Sequence, residues 1–185
     1  MRVIEETLKQ GRCALLMVPE IALTPQLAER LVSRFGKQVA IWHSALSDGE
    51  RFDTWRRLQN GEFKILLGAR SAILVNMPNL GLIILDEEHD ASYKQTSPAP
   101  RYSAKTLALE KAKLAQALVL FGSATPDIVT YYQAQKENKI LALSKRIFDQ
   151  GFPQTIIVDM RNEFSSGNRT IFSKQLEQSL QDCLE

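Results

Sequence analysis

Leu80-Gly81-Leu82-Ile83-Ile84-Leu85-Asp86-Glu87-Glu88-His89 is the stretch that decides how this chain folds. Five aliphatic residues around a single glycine run straight into three acids and a histidine. The apolar run does not alternate with polar residues, which is the pattern of a strand buried on both faces of a parallel sheet. Four more runs share that character: Cys13–Val18, Val39–Trp42, Lys64–Leu67 and Ala117–Gly122. Helical periodicity fills the gaps, over roughly 2–10, 24–36, 48–59, 103–116 and 126–137. Ser47 and Glu50 are spaced as a capping box, Ser103 is a candidate N-cap, and Thr125 would cap a helix opened by Pro126. Alternation of strand and helix predicts an α/β fold, a largely parallel sheet flanked by helices on both faces. Beyond this region the pattern changes. Ile140–Leu143 and Thr155–Val158 read as strand candidates, Arg161–Arg169 as a polar loop, and Phe172–Leu184 as a helix with Ser173 as its cap.

The 185 residues are 44% hydrophobic and 24% charged, which fits a globular domain with a sizeable core and excludes wholesale disorder. With 23 Lys+Arg against 21 Asp+Glu the net charge is +2, so this is not a polybasic tail; local basic patches remain open to nucleic acid. The two cysteines, Cys13 and Cys183, form neither a CxxC pair nor a disulfide framework, and predict a reducing, cytoplasmic setting. No apolar run approaches the ~20 residues of a membrane span, and no membrane partner is expected.

In an open parallel sheet, ligands gather beyond the carboxyl ends of the strands. A carboxylate there, Asp86, can hold Mg²⁺ through its water shell, and its neighbour Glu87 can deprotonate an attacking water. His89 has no HExxH or cysteine pair around it, so zinc is not expected. His43, closing another strand, fits a structural histidine and a pocket residue equally. Phe121-Gly122-Ser123-Ala124-Thr125-Pro126 ends a second buried strand, with hydroxyls able to bond a neighbouring carboxylate and relay its state. Residues 91–115 carry Lys94, Arg101, Lys105, Lys111 and Lys113 against Glu110 alone, with Tyr93 and Tyr102 among them. Cations plus aromatic faces are the ingredients of sequence-independent single-strand binding. Lys94 and Arg101 flank a proline-containing loop and are the stronger candidates; Lys105, Lys111 and Lys113 read as a solvated helix face. Arg51, Arg56 and Arg57 read as surface on a helix whose apolar side includes Phe52, Trp55 and Leu58.

Asp86-Glu87-Glu88-His89 and Ser123-Ala124-Thr125 resemble motifs II and III of superfamily 2 helicases. Val18-Pro19-Glu20-Ile21-Ala22-Leu23-Thr24-Pro25-Gln26, His43-Ser44-Ala45-Leu46-Ser47, Gly68-Ala69-Arg70-Ser71-Ala72-Ile73, Ser92-Tyr93-Lys94-Gln95 and Arg101-Tyr102 follow in the order seen in PriA-type replication-restart DNA helicases. The resemblance implies a RecA-like lobe over residues 1–145 and a connection toward a second lobe over 146–185. It implies ATP and Mg²⁺ as cofactors, with Asp86 helping to hold the metal through water, Glu87 polarising the attacking water, and His89 communicating with Ser123 and Thr125. By the same resemblance, Pro19, Glu20, Thr24, Gln26, Arg70 and Ser71 would fall in segments that grip single-stranded DNA. Tyr93, Lys94, Gln95, Arg101 and Tyr102 fall in an aromatic-rich loop that couples DNA to hydrolysis. The activity implied is ATP-dependent 3′→5′ unwinding for primosome assembly and replication restart. The implied partners are single-stranded and forked DNA, other primosome proteins and single-strand-binding protein.

One feature of the family is not found: the chain contains no G-x-x-x-x-G-K-[ST] phosphate loop. In the family that loop lies just upstream of the helix that Arg2–Gly11 resembles, so the sequence reads as beginning a few residues after it. The second lobe, its arginine finger, an N-terminal DNA-binding domain and the family's zinc-binding cysteines are likewise expected outside these residues, and no zinc site is expected within them. The alternative from another class is a non-catalytic lobe that grips DNA or protein without hydrolysing ATP.

Overall fold

The computed structural model describes residues 1–19, 25–143 and 154–184. The chain divides into two compact units, Met1–Ile140 and Leu141–Glu185. The boundary expected at 145/146 lies outside the described residues.

Five strands build the sheet of the first unit: β1 (Cys13–Met17), β2 (Val39–Trp42), β3 (Ile65–Gly68), β4 (Leu80–Leu85) and β7 (Leu118–Phe121). Their order is β2-β3-β1-β4-β7, with every pairing parallel. The five predicted apolar runs are these five strands. The helices are α1 (Arg2–Lys9), α2 (Pro25–Phe35), α3 (Asp48–Gln59), α4 (Ala104–Ala115) and α5 (Ile128–Lys136). Two cores sandwich the sheet. Leu15, Met17, Leu66, Ile83 and Leu85 face one, together with Ala104, Ala108 and Ala112 of α4. Ala14, Ile65, Leu67 and Leu82 face the other, with Ile4 of α1 and Leu31 of α2. Side chains on both faces of β1, β3 and β4 are buried, which explains why their sequences do not alternate.

Several local signals hold. Ser47 and Glu50 form the full capping box at the start of α3, and Ser103 Oγ accepts from Thr106 N–H at the start of α4. Others are corrected. Thr125 does not cap α5; the helix starts two residues beyond Pro126, and Asp127 caps it by accepting from the Val129 and Thr130 N–H groups. A carboxylate is the stronger acceptor for two orphan donors. On α3, Leu58 is buried in the main core while Phe52 and Trp55 are 58% and 41% exposed. Arg56 and Arg57 pair with Asp53 and Glu62 on the surface, as read from the sequence.

The second unit departs most from expectation. Residues 154–158 form no strand, and Ile157 is 92% exposed. Residues 141–143 form none either. The stretch 161–169, expected to be a loop, contains most of helix α6 (Met160–Ser165), capped by Asp159. Helix α7 (Lys174–Leu184) follows, with Ser173 Oγ accepting from Leu176 N–H as predicted. Asn168, only 7% exposed, holds this unit's turn by donating to Glu163 and the Phe172 carbonyl and accepting from Thr170 N–H. Among the described residues no helix is long and apolar enough to cross a membrane.

Candidate functional site

β4 lies between β1 and β7, and its carboxyl end delivers Asp86 to the sheet's C-terminal edge, one strand in from β7. Asp86 N–H donates to the Met17 carbonyl at 2.9 Å, and its Oδ1 accepts from Glu87 N–H at 3.2 Å. The carboxylates of Asp86 and Glu87 are exposed. Space for Asp86 comes from Gly122 at the end of β7: a Cβ there would stand 3.1 Å from Oδ1. Glu87 has φ +47, a left-handed conformation that costs a non-glycine residue about 1–3 kcal/mol and persists only where its surroundings hold it.

Those surroundings are specific. On one side, Tyr93 Oη donates to the Asp86 carbonyl at 2.7 Å. On the other, Glu88 is 1% exposed and fully engaged. Its N–H donates to the Gly122 carbonyl at 3.0 Å, Oε1 accepts from Asp127 N–H at 2.6 Å, and Oε2 accepts from Lys105 Nζ at 2.8 Å. His89 Nδ1 and Ser123 Oγ are 2.8 Å apart, with the direction of the bond set by the imidazole tautomer, and Glu87 Oε2 lies 3.7 Å from the same nitrogen. Ser123 Oγ also accepts from Thr125 N–H at 3.0 Å. The two motifs picked out in the sequence thus meet through His89 and Ser123, while Thr125 takes part through its backbone.

Asp90 caps a short turn, Ala91–Tyr93; hydrogen bonds from Ser92 hold its carboxyl below the usual range. Next comes a hairpin, β5 (Lys94–Gln95) paired antiparallel with β6 (Tyr102–Ser103). Gln95 Nε2 ties the loop by donating to the Pro98 and Pro100 carbonyls at 3.0 and 2.9 Å. Lys94, Gln95, Arg101 and Tyr102 line one open depression of about 420 Å³, so the structure brings these four predicted DNA residues together. Arg70 joins them from the turn Arg70–Leu74: Nη1 donates to the Ser92 and Lys94 carbonyls at 3.1 and 3.3 Å, and the guanidinium lies 6.0 Å from the centre of the Tyr102 ring. Gly68, just before this turn, is obligatory, because a Cβ would stand 2.6 Å from the Trp42 carbonyl oxygen. Ser71 lies apart, bordering a cleft with Trp42, Phe52 and Trp55. Pro19 is buried after β1 and Gln26 is exposed on α2; Glu20 and Thr24 lie outside the described residues.

Tyr93 must be corrected. Its ring is 2% exposed, so it offers no face to a base; burial and the nearby charges of Asp86, Asp90 and Glu87 push its phenol up. It serves as a tie between hairpin and acidic loop. The solvated lysine face on α4 is corrected too. Lys105 pairs with Glu88, and Lys111 donates to the Ile73 and Val75 carbonyls at 2.8 and 2.5 Å, its amine pushed down by burial. Only Lys113 behaves as read, paired with Glu110 at the surface. The roles of Glu88, Lys105, Lys111 and Asp127 were missed. A signal existed: Lys105 and Lys111 each stand three residues from Ala108, on the stripe of buried alanines.

The residues present fit a magnesium nucleotide. Asp86 presents an exposed carboxylate at the sheet's C-terminal edge, and Mg²⁺ is commonly held by one or two carboxylates with waters and phosphates. Among the described residues, no group of three or more His, Cys, Asp or Glu side chains could form an all-protein metal cage.

A five-stranded parallel sheet flanked by helices thus carries an acidic turn and a histidine–serine link at its C-terminal edge. The chain belongs to the DEAD/DEAH box helicase family, whose model matches residues 1–133. Within that class it is similar to replication restart protein PriA. It is 45% identical to the protein of Synechocystis sp. over 185 residues, covering 97% of this chain and 22% of that one. To the Bacillus subtilis protein it is 45% identical over 182 residues, covering 98% and 22%. To the Chlamydia pneumoniae protein it is 41% identical over 187 residues, covering 100% and 25%. The chain therefore spans about a quarter or less of the length of these relatives. Among solved structures, the C-terminal domain of the DEAD-box protein Dbp5 covers 72% of this chain and 76% of its own, at 14% identity and a TM-score of 0.44.

Proposed function

We propose that this chain is the first RecA-like lobe, over residues 1–145, of an ATP-dependent 3′→5′ DNA helicase that restarts replication, with 146–185 leading toward a second lobe. The observation that carries the reading is the hydrogen bond from Tyr93 Oη to the Asp86 carbonyl, supported by Lys105 on Glu88. These contacts join the hairpin bearing Lys94, Arg101 and Tyr102 directly to the acidic turn. A DNA-coupled ATPase needs such a connection; a passive DNA-binding lobe does not.

Bound Mg-ATP supplies the phosphoanhydride and a metal that neutralises charge developing on the phosphates. Asp86 would be the residue that holds that metal. Glu87 accepts the proton of the attacking water from its exposed position on the strained turn. His89, between Glu87 and Ser123, relays the state of the turn to the 123–125 segment. Lys94 and Arg101 neutralise phosphates and Tyr102 stacks on a base, which is sequence-independent single-strand recognition. Glu20, Thr24, Gln26 and Arg70 extend the strand's path, with Ser71 as a separate contact beyond the hairpin. The substrates are single-stranded and forked DNA. Other primosome proteins and single-strand-binding protein are the partners, and the cytoplasm is the setting.

The test uses the complete protein that carries this lobe, with forks bearing a single-stranded arm of either polarity. ATP-dependent displacement that requires a 3′ tail on the translocated strand is expected. Unwinding of the opposite polarity, or DNA binding with no ATP-dependent displacement, would refute the reading.

A further inference from the structure

We infer that Glu88 and Lys105 form a positioning pair that holds Glu87 in its strained conformation and carries the position of the hairpin to it. The inference rests on the reading of this site as a DNA-stimulated ATPase. Its basis is how the hairpin's two feet straddle Glu87. At the first foot, Tyr93 precedes Lys94 of β5 and bonds the carbonyl of Asp86, one residue before Glu87. At the second, Lys105 stands two residues beyond Ser103 of β6, in the first turn of α4, and bonds the carboxylate of Glu88, one residue after Glu87. A shift of the hairpin therefore pulls on both sides of one left-handed residue.

Glu88 is suited to transmit that pull. At 1% exposure its carboxylate has no water to fall back on, so a weakened contact leaves a buried charge short of a partner. Its second oxygen accepts from Asp127 N–H, at the cap of α5. Lys105 Nζ also donates to Thr130 Oγ at 3.2 Å, and Thr130 in turn bonds the Asp127 carboxylate. The pair thus joins three parts of the fold: the turn carrying Glu87, the hairpin with α4, and the helix that follows Ser123–Thr125. A buried ion pair serving stability alone predicts lower melting temperature and equal loss of all activity when either partner changes. A positioning pair predicts selective loss of the response to DNA.

The experiment measures ATPase rates of the complete protein with and without oligo(dT), the KM for ATP, and the melting temperature. The variants are Lys105→Met, Lys105→Arg, Glu88→Gln and Thr130→Val. Couplings between sites are commonly worth about 5–150-fold, so Lys105→Met and Glu88→Gln are expected to lower the ratio of stimulated to basal rate at least fivefold. The KM for ATP should stay within about twofold, and Lys105→Arg should restore most of the ratio. Thr130→Val keeps the ion pair and removes only the hydroxyl, so it folds even where Lys105→Met does not, and it should lower the ratio by a smaller factor. An unchanged ratio in every folded variant, with only the melting temperature reduced, overturns the positioning role. A wild-type protein whose ATPase ignores DNA overturns the underlying ATPase reading instead, so the two failures are distinguishable.

Discussion

Replacing Tyr93 by Phe removes one oxygen and keeps the ring. The ring is 2% exposed and packs in the main core, so the substitution leaves no cavity of consequence. What is lost is the 2.7 Å hydrogen bond to the Asp86 carbonyl. A bond of this kind contributes about 0.5–1.5 kcal/mol net, and in a cooperative unit of this size 1 kcal/mol moves the melting temperature by roughly 2–4 °C. Tyr93→Phe should therefore melt a few degrees lower, whereas Tyr93→Ala, which also empties the ring's site, should cost about 3–5 kcal/mol. In the complete protein Tyr93→Phe should lower the DNA-stimulated ATPase more than the basal rate, because one of the two ties from the hairpin to the acidic turn is gone. DNA affinity should barely change. A ring that stacked on a base would contribute about 1–3 kcal/mol, so Tyr93→Ala would weaken DNA binding tenfold or more while leaving stability alone. That result, or a Tyr93→Phe protein indistinguishable from wild type in both melting and stimulation, would refute the assignment of Tyr93 as a buried tie.

The same phenol makes a prediction about pH. Its folded pKa is raised, by burial first and then by the charges of Asp86, Asp90 and Glu87, so the folded state keeps its proton where the unfolded state releases it. Its contribution is fully present below the unfolded value near pH ~10 and declines above it. Wild-type stability should fall more steeply above that pH than stability of Tyr93→Phe, as followed by melting temperature across an alkaline series; parallel curves would argue against burial of the hydroxyl.

In the complete protein, Glu87→Gln should abolish hydrolysis yet retain Mg-ATP binding, because the amide keeps the size and loses the base; Asp86→Asn should weaken metal-dependent nucleotide binding as well, both read by filter binding and phosphate release. Arg101→Ala or Tyr102→Ala should cut DNA-stimulated ATPase more than the basal rate, since both residues line the hairpin depression and neither belongs to the acidic turn; equal loss of both rates with a lowered melting temperature would make them structural. Lys111→Met leaves the Ile73 and Val75 carbonyls without their shared donor and should cost about 1–3 kcal/mol, seen as a lower melting temperature.

Much of the first unit was legible because burial on both faces writes itself into sequence as unbroken aliphatic runs. Leu80–Leu85 and Cys13–Met17 could hardly be anything but inner strands. In the second unit only α7 and its Ser173 cap were legible, because the other signals there depend on partners rather than on periodicity. Thr155–Val158 has the composition of a strand, but β-propensity reflects fit against neighbouring strands, and none pairs with it among the described residues. α6 is short and polar, and it is fixed by a cap from Asp159 and a link from Glu163 to Asn168 rather than by an apolar stripe.

At the site, sequence separates residues by type, whereas structure separates them by surroundings. Tyr93 and Tyr102 read alike, yet one is sealed in the core and the other lines an open depression beside Arg70. Glu87 and Glu88 read as two members of one acidic cluster, yet one faces outward on a strained turn and the other is buried against Lys105. The distinction lies in the surroundings: past the end of β4, Asp86, Glu87 and His89 are exposed while Glu88 turns inward. A carboxylate that turns inward must find a cation or go without its charge. Lys105, 17 residues further on, meets that need only because the hairpin folds back and lays the start of α4 over the turn. Burial of Glu88 and placement of the hairpin are therefore one structural event, and Glu87 is the residue that lies between the two ties.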